Sequence, residues 1–199
     1  MGTRGLGTCL LQKLCFPHPR QRMRSRYRVN ATEQAHFVTS TIVGWLAIFT
    51  TARRCDVVVE SLDYCRAHKG LRIYAWVILD NHFHAILSAP DLSRVMADLK
   101  RHTARRLIEI LEEERAEWLL HQLRYHRAAH KGESEYQIWQ EGYHPQSIPT
   151  DAIMLQKLDY LHNNPVKRGL VASPEHWRYS SAHEWLPAAM PLLRCDEWR

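Results

Sequence analysis

The sequence predicts an α+β fold in which an antiparallel sheet of the ferredoxin-like (RRM-like) type carries helices on one face. The first observation is the order of segments, which reads strand, helix, strand, strand, helix, strand, helix. The second is the pair Asp80-Asn81, which has hairpin-turn chemistry and separates two apolar segments of strand length. A chain of 199 residues is long enough to bury a single core of this kind.

The predicted strands are short segments rich in β-branched, aromatic and other apolar residues. The second and third of them flank the Asp80-Asn81 turn, and Pro90 follows the third. In chain order, the four strands are expected over 36–45, 71–79, 82–88 and 136–143.

The predicted helices have apolar residues at the helical period. The first runs over 51–68 and is closed by Gly70, and the second runs over 92–114. The last opens at Thr150-Asp151 and is expected to end at 163 or 164, because Pro165 follows. Residues 118–134, between the second helix and the fourth strand, are predicted to be irregular and basic.

Composition limits the class of protein. Apolar residues make up 45% and charged residues 24%, as in ordinary globular proteins, and the formal net charge of +6 favours a polyanionic partner. The five cysteines are scattered with no Cys-x-x-Cys, which argues against a disulfide scaffold and indicates a reducing compartment, with the cytoplasm as the default. The apolar runs are too short to cross a bilayer, so no membrane association is expected.

Three regions are expected along the chain. Residues 1–22 lack periodicity and are predicted to be a poorly ordered extension, with Met23 as an alternative start. A single domain is predicted over 23–185, followed by a tail over 186–199. Alternate arginines open the domain, and in an extended chain Arg24, Arg26 and Arg28 project to one side, either as a contact for a phosphate backbone or as a solvated basic arm.

The triplet His82-Phe83-His84 predicts a metal site. Residues two apart on a strand face the same way, so both imidazoles are able to bind one divalent ion. An amide oxygen from Asn164 is the candidate third ligand, a set that suits Mg²⁺ or Mn²⁺ and leaves Zn²⁺ open. The alternative is that the pair is only the polar face of a strand.

Tyr160 is the candidate nucleophile. It lies four residues before Asn164, so the two share one face of the predicted last helix. A tyrosine facing a metal site suggests covalent attack on a phosphodiester, which would leave a 5′-phosphotyrosine and a free 3′-OH. The alternatives are that Tyr160 is a core aromatic and that Tyr143 is a rival nucleophile.

A basic group on the second predicted helix is a candidate DNA contact. Lys100, Arg101 and Arg105 follow soon after the strand with the two histidines, and Arg101 and Arg105 are one helical turn apart. Such a group is also typical of a solvated helix face.

Taken in order, five motifs over roughly 24–185 resemble the single-tyrosine HUH transposases, and especially the branch associated with repetitive extragenic palindromes (REP). They are WVILDNHFH at 76–84, DLKRHTA at 98–104, IWQEGYH at 138–144, DYLHNNPVKRGLV at 159–171 and WRYSS at 177–181.

The resemblance implies a ferredoxin-like HUH endonuclease fold and a Mg²⁺- or Mn²⁺-dependent enzyme that cleaves and rejoins single-stranded DNA beside hairpins, as a monomer or homodimer. Carried over to this chain, His82, His84 and Asn164 are the metal ligands and Tyr160 is the nucleophile. We also expect Lys167 and Arg168, within the matched tyrosine motif, to bind DNA.

One position departs from the family pattern, since Asp80 stands where a proline usually precedes the first histidine by two residues. A carboxylate there would either reach the metal or tighten the turn. Two other functions are weighed against the transposase. A domesticated hairpin-binding protein without cleavage is disfavoured because both histidines, Tyr160 and Asn164 are present, and a zinc-dependent hydrolase lacks a Glu at metalloprotease spacing.

Overall fold

The structure is a computed structural model that describes residues 34–128, 134–142 and 144–198. Several sequence predictions lie outside these residues and stay predictions. They are the N-terminal extension over 1–22, the contacts of Arg24, Arg26 and Arg28, and the rival role of Tyr143.

A four-stranded antiparallel sheet forms the centre of the molecule. Its strands are β1 (His36–Thr41), β2 (Arg72–Ile78), β3 (His82–Ser88) and β4 (Gln146–Ser147). The spatial order is β2-β3-β1-β4, with β2 and β3 joined at the Asp80-Asn81 turn. The α+β class and the antiparallel sheet predicted from the sequence are therefore confirmed.

Two long helices cover one face of the sheet. Helix α1 (Ala52–Lys69) and helix α2 (Leu92–Glu113) bury their apolar residues in one core with Val38, Phe83 and Leu87 of the strands. Gly70 ends α1 in the left-handed conformation, with φ 65°, as its position after the apolar stripe predicts.

A later helix covers part of the opposite face. Helix α4 (Asp151–His162) packs Met154 and Leu161 against a second cluster that includes Phe37, Val77 and Ile86. The prediction that helices lie on one face thus holds for α1 and α2, while α4 forms a further layer. A second layer is needed because β3 is buried along its whole length, on both faces.

Two segments after α2 differ from the prediction. Glu117–Tyr125 is a helix, α3, because Leu120 and Leu123 are spaced to bury one side of it. Residues 136–142 do not form the fourth strand, and Trp139 alone makes an isolated bridge, to Ile42. Trp139 is instead drawn into the core, where its indole N–H donates to Thr103 Oγ1 of α2 at 3.0 Å.

Pro165 does not stop the helical path. Helix α4 ends at His162, and a short helix α5 (Asn164–Lys167) begins immediately with Pro165 in its first turn. Proline is tolerated there because its missing N–H would have no partner within the helix.

The chain beyond residue 185 packs along β2, the edge strand of the sheet. Asp196 N donates to the carbonyl of Ile73 at 2.6 Å, the N–H of Ile73 donates to Asp196 Oδ2 at 2.8 Å, and Leu193 is buried in the α1–α2 core. The division of the chain at 185 stays a proposal. No helix within the described residues is both long enough and apolar enough to cross a bilayer.

Candidate metal and tyrosine site

The two histidines of β3 lie side by side on the α4 face of the sheet. Their ring centroids are 4.7 Å apart at an interplanar angle of 74°, and both side chains are buried. Phe83 between them points into the opposite core. Strand alternation alone therefore produces the shared face that the sequence predicts.

Each imidazole is oriented through its Nδ1 atom. His82 Nδ1 donates to Asn81 Oδ1 at 2.6 Å, and His84 Nδ1 lies 2.7 Å from the hydroxyl of Thr39, its partner in the β1–β3 register. Because Nδ1 faces the protein in both rings, Nε2 is the nitrogen that each ring offers to a metal ion. Bonds of this kind fix the tautomer and the orientation of metal-binding histidines.

Burial favours the neutral form of both rings. It lowers the pKa of His82 to about 4, with a smaller lowering from the Arg168 guanidinium that Asp80 partly opposes. Burial likewise lowers the pKa of His84 to about 3, with further lowering by His82 and Lys157. A neutral imidazole is the form that coordinates a metal ion, so the donor set fits a divalent cation near neutral pH.

Tyr160 of α4 lies beside the same pair within one chain. Its ring centroid is 5.7 Å from that of His84 and 5.8 Å from that of Phe37, and the residue is 42% exposed. The phenol therefore lies on the histidine face of the sheet and remains accessible to a ligand. No partner chain is needed to bring the tyrosine to the histidines.

Two lysines place positive charge on the histidine face, and one of them lies over the tyrosine ring. Lys167 Nζ lies 5.3 Å from the centroid of the Tyr160 ring, and Lys157 Nζ lies 4.9 Å from the ring of Phe37. Lys157 also donates to Gln146 Oε1 at 2.5 Å. Cations in this position attract a phosphate and stabilise charge on a phenol oxygen.

Arg168 joins α5 to the turn before the histidines. Its guanidinium forms a bidentate ion pair with Asp80, at 2.5 and 3.2 Å, and also donates to Asn81 Oδ1 at 3.2 Å. The carboxylate of Asp80, which stands where the resembling family usually has proline, is therefore paired with Arg168. Asn81 connects this ion pair to His82.

Asn164 is buried at the first position of α5, directly after the helix that carries Tyr160. Within the described part of the chain, no three His, Cys, Asp or Glu side chains are grouped so that they could hold a metal ion. A third ligand from these residues would therefore be of another type, and the Asn164 amide is the candidate.

The basic group of α2 lies on the other side of the sheet. Lys100 donates to the carbonyls of Gln140 and Gly142, at 3.0 and 3.3 Å. Arg101 is exposed beside Asp98, and Arg105 is exposed 3.8 Å from Glu109. The structure thus brings Lys167 and Arg168 to the histidine face and places Lys100, Arg101 and Arg105 away from it.

The orienting residues Asn81 and Thr39 are absent from the sequence predictions as site residues. Asn81 was interpretable only as a turn residue, and Thr39 lies 45 positions from His84. Only the register of β1 against β3 identifies Thr39, and the sequence carries no direct signal of that register.

The comparisons with known proteins agree with the resemblance. No family model matches. A Haemophilus influenzae protein named "Putative REP-associated tyrosine transposase" is 26% identical over 116 residues, which cover 58% of this chain and 61% of that relative, less than two thirds of its length.

A solved structure described as a REP-associated tyrosine transposase bound to a REP hairpin has the same fold. It superposes with a TM-score of 0.59 over 89% of this chain and 93% of that one, at 18% identity. In sequence and in fold, the chain is therefore similar to the REP-associated tyrosine transposases, as its motifs indicate.

Proposed function

We propose that this protein is a metal-dependent DNA endonuclease and strand transferase that acts on single-stranded DNA next to hairpins. One observation carries the proposal, the contact of Tyr160 with His84 on the histidine face of the sheet. A nucleophile and a metal-binding pair at one place are the elements that covalent cleavage of a phosphodiester requires.

In the proposed cleavage step, Tyr160 Oη attacks the scissile phosphorus and loses its proton to solvent. The bond from phosphorus to the 3′ oxygen breaks, and that oxygen leaves as a 3′-OH after taking up a proton. The 5′ end stays on the protein as a phosphotyrosine. A second 3′-OH then attacks this ester and releases Tyr160, so rejoining needs no ATP because the phosphodiester bond energy is conserved.

The metal, proposed to be Mg²⁺ or Mn²⁺, would neutralise a non-bridging phosphate oxygen and polarise phosphorus. We propose His82, His84 and Asn164 as its ligands. Asn81 and Thr39 hold the rings, and burial keeps both neutral at pH 7. Lys167 over the phenol would stabilise the developing phenolate.

Hairpin DNA is the proposed partner, because the relative is named for REP association and the solved structure of the same fold holds a REP hairpin. We propose that Arg24, Arg26, Arg28, Lys167, Arg168 and the α2 group of Lys100, Arg101 and Arg105 contribute to DNA affinity. The protein would work as a monomer or homodimer, in the cytoplasm, with its own Tyr160 in its own site.

The test is an adduct assay on a denaturing gel. Single-stranded oligonucleotides that carry a hairpin and a label on the 5′ or the 3′ side are incubated with Mn²⁺, Mg²⁺ or EDTA. We expect a covalent adduct that retains the 3′-side label, requires the metal and is lost in Tyr160→Phe.

The matched control is Tyr125→Phe, an equally simple loss of a hydroxyl from an exposed tyrosine on α3. It should form the adduct as the unmodified protein does. An adduct in Tyr160→Phe at the unmodified yield would contradict the proposal. Tight hairpin binding with no adduct in any metal would favour the hairpin-binding protein without cleavage.

A further inference from the structure

An exposed tryptophan lies beside the histidine pair. Trp45 is 62% exposed, and its ring centroid is 6.2 Å from that of His82 at an interplanar angle of 76°. Single exposed aromatic residues are common on folded proteins, so the position of Trp45 beside His82 is more informative than its exposure. At this position, the ring borders the place where a substrate phosphate would bind.

The backbone at this turn is held in an uncommon conformation. Gly44 has φ 60° and Trp45 has φ 56°, so two consecutive residues adopt the left-handed region. Large side chains seldom do so, and such outliers are concentrated at functional sites. A Cβ on Gly44 would lie 2.5 Å from Cδ2 of His126, so any other residue there would also have to displace this exposed ring.

Hydrogen bonds fix the turn relative to His82. The carbonyl of Trp45 accepts from Asn81 Nδ2 at 3.3 Å, and Asn81 Oδ1 accepts from His82 Nδ1 at 2.6 Å. The N–H of Ile42 donates to the carbonyl of Asn81 at 2.9 Å. One asparagine therefore joins the tryptophan turn to the metal-binding ring.

We propose that Trp45 is a nucleobase-binding residue, on which the unpaired base of a nucleotide adjacent to the scissile phosphate stacks. This inference rests on the proposed function, since it takes single-stranded DNA as the substrate. A flat, sequence-tolerant aromatic surface near a cationic phosphate site is the usual means of holding single-stranded nucleic acid. Arg168, which is paired with Asp80, donates to the same Asn81 and so helps to hold this asparagine between Trp45 and His82.

The occupant should be an unpaired base rather than a base pair. Stacking on an indole requires a free face of the base, which an internal base pair does not offer. The substrate is therefore expected to present at least one unpaired nucleotide next to the cleavage point, positioned by Trp45 on the His82 side.

The first experiment measures binding without turnover. The Tyr160→Phe protein is titrated into a labelled hairpin oligonucleotide with a single-stranded flank, and affinity is followed by fluorescence anisotropy. Trp45→Ala in this background should weaken binding on the order of 10-fold, while Trp45→Phe should retain most of the affinity. Trp118→Ala removes a tryptophan on α3 of similar exposure, 66%, and should leave the affinity unchanged.

The second experiment identifies the base. An abasic nucleotide is placed in turn at each position of the single-stranded flank. At one position beside the cleavage point, the abasic site should weaken binding about as much as Trp45→Ala does, and the two changes together should weaken it no further. At every other position their effects should multiply.

Two results would overturn the inference. One is equal affinity of the Trp45→Ala and Trp118→Ala proteins for the oligonucleotide, and the other is independent effects of Trp45→Ala and the abasic site at every position. These outcomes differ from failure of the proposed function, which would appear as the absence of a Tyr160 adduct while the Trp45 coupling persists. Absence of any binding to the single-stranded flank would reject both.

Discussion

At the scale of single residues, the site depends on how each histidine is held. His82 and His84 are buried and neutral, and each uses Nδ1 for a hydrogen bond to the protein. The metal-binding geometry would therefore be set before any ion arrives. Asn81 is the most connected of the orienting residues, since it also contacts Arg168 and the Trp45 carbonyl.

Asn81→Ala should weaken Mn²⁺ binding. Loss of the acceptor for the His82 Nδ1–H removes the bond that fixes the tautomer, and such losses typically lower metal affinity by about 10- to 100-fold. Isothermal titration of the protein with Mn²⁺ measures the effect. Asn163→Ala, which removes a half-buried amide that donates to Asp159, is the control. Equal affinities of the two variants would contradict the assigned role of Asn81.

Buried His162 should make stability depend on pH. Burial lowers its pKa to about 4 from an ordinary value of 6.5, and its Nε2 lies 2.8 Å from the Ser181 hydroxyl. Between these two values, the unfolded chain binds a proton that the folded chain does not. The free energy of unfolding therefore falls as the pH decreases from 6.5 towards 4.

His162→Gln removes this titration. The stability advantage of the unmodified protein over the variant should shrink by about 1.4 kcal/mol per pH unit between pH 6.5 and about 4. Urea unfolding in EDTA at several pH values checks the difference. A stability difference that is independent of pH would show that His162 keeps its ordinary pKa when folded.

At the scale of elements, short irregular segments position the site. The turn after β1 sets Trp45, and α5 sets Asn164 and Arg168. Neither the turn after β1 nor helix α5 is among the elements predicted from the sequence. The strand prediction over 36–45 continues through the turn at Gly44, and the expected stop at Pro165 ends the helical path before α5. Pro165 indicates a break, but tertiary contacts decide its form, and no break was predicted at Gly44.

Gly44→Ala should destabilise the protein. The added Cβ would displace the exposed His126 ring, and the alanine itself would have to adopt φ 60°. We expect a loss of about 1–3 kcal/mol in the free energy of unfolding, measured in urea. The control is Gly142→Ala, at φ 73° with nothing within 4 Å of its Cβ, which should lose less. Equal losses in the free energy of unfolding for the two variants would show that the contact with His126 does not matter.

The strand and turn that carry the histidines are easier to predict from sequence than the segments around them. Alternation along β3 and the Asp80-Asn81 turn are local properties, so the sequence predicts both. Residues 136–143 were expected to be a strand. Instead, Lys100 donates to the carbonyls of Gln140 and Gly142, and Thr103 Oγ1 accepts from the Trp139 indole. Those partners lie 36 or more positions away in sequence.

At the scale of the whole molecule, the sheet separates the larger hydrophobic core from the candidate site. The α1–α2 layer supplies the larger core, while the opposite face carries the histidines, Tyr160 and the cations around them. The sequence predicted the alternation of strands and helices along the chain, but it did not predict that α4 packs on the second face of the sheet. Periodicity identifies that a helix has an apolar side and does not identify which face of a sheet it covers.

The C-terminal segment should be part of the folding unit. Leu193 is buried in the α1–α2 core, and its carbonyl accepts from the Trp76 indole at 3.2 Å. Leu193→Ala should lower the free energy of unfolding by about 2–5 kcal/mol. Met190→Ala, at an exposed neighbouring position, should leave it unchanged. A neutral Leu193→Ala would instead support a dispensable tail after residue 185.

Identifying the residue that becomes attached to DNA tests the role of Tyr160 as the nucleophile. The protein is incubated with Mn²⁺ and a hairpin oligonucleotide with a single-stranded flank, the adduct is digested, and the peptides are analysed by mass spectrometry. We predict a nucleotide linked through its 5′ phosphate to Tyr160. A nucleotide on Tyr143, or on any residue other than Tyr160, would contradict it.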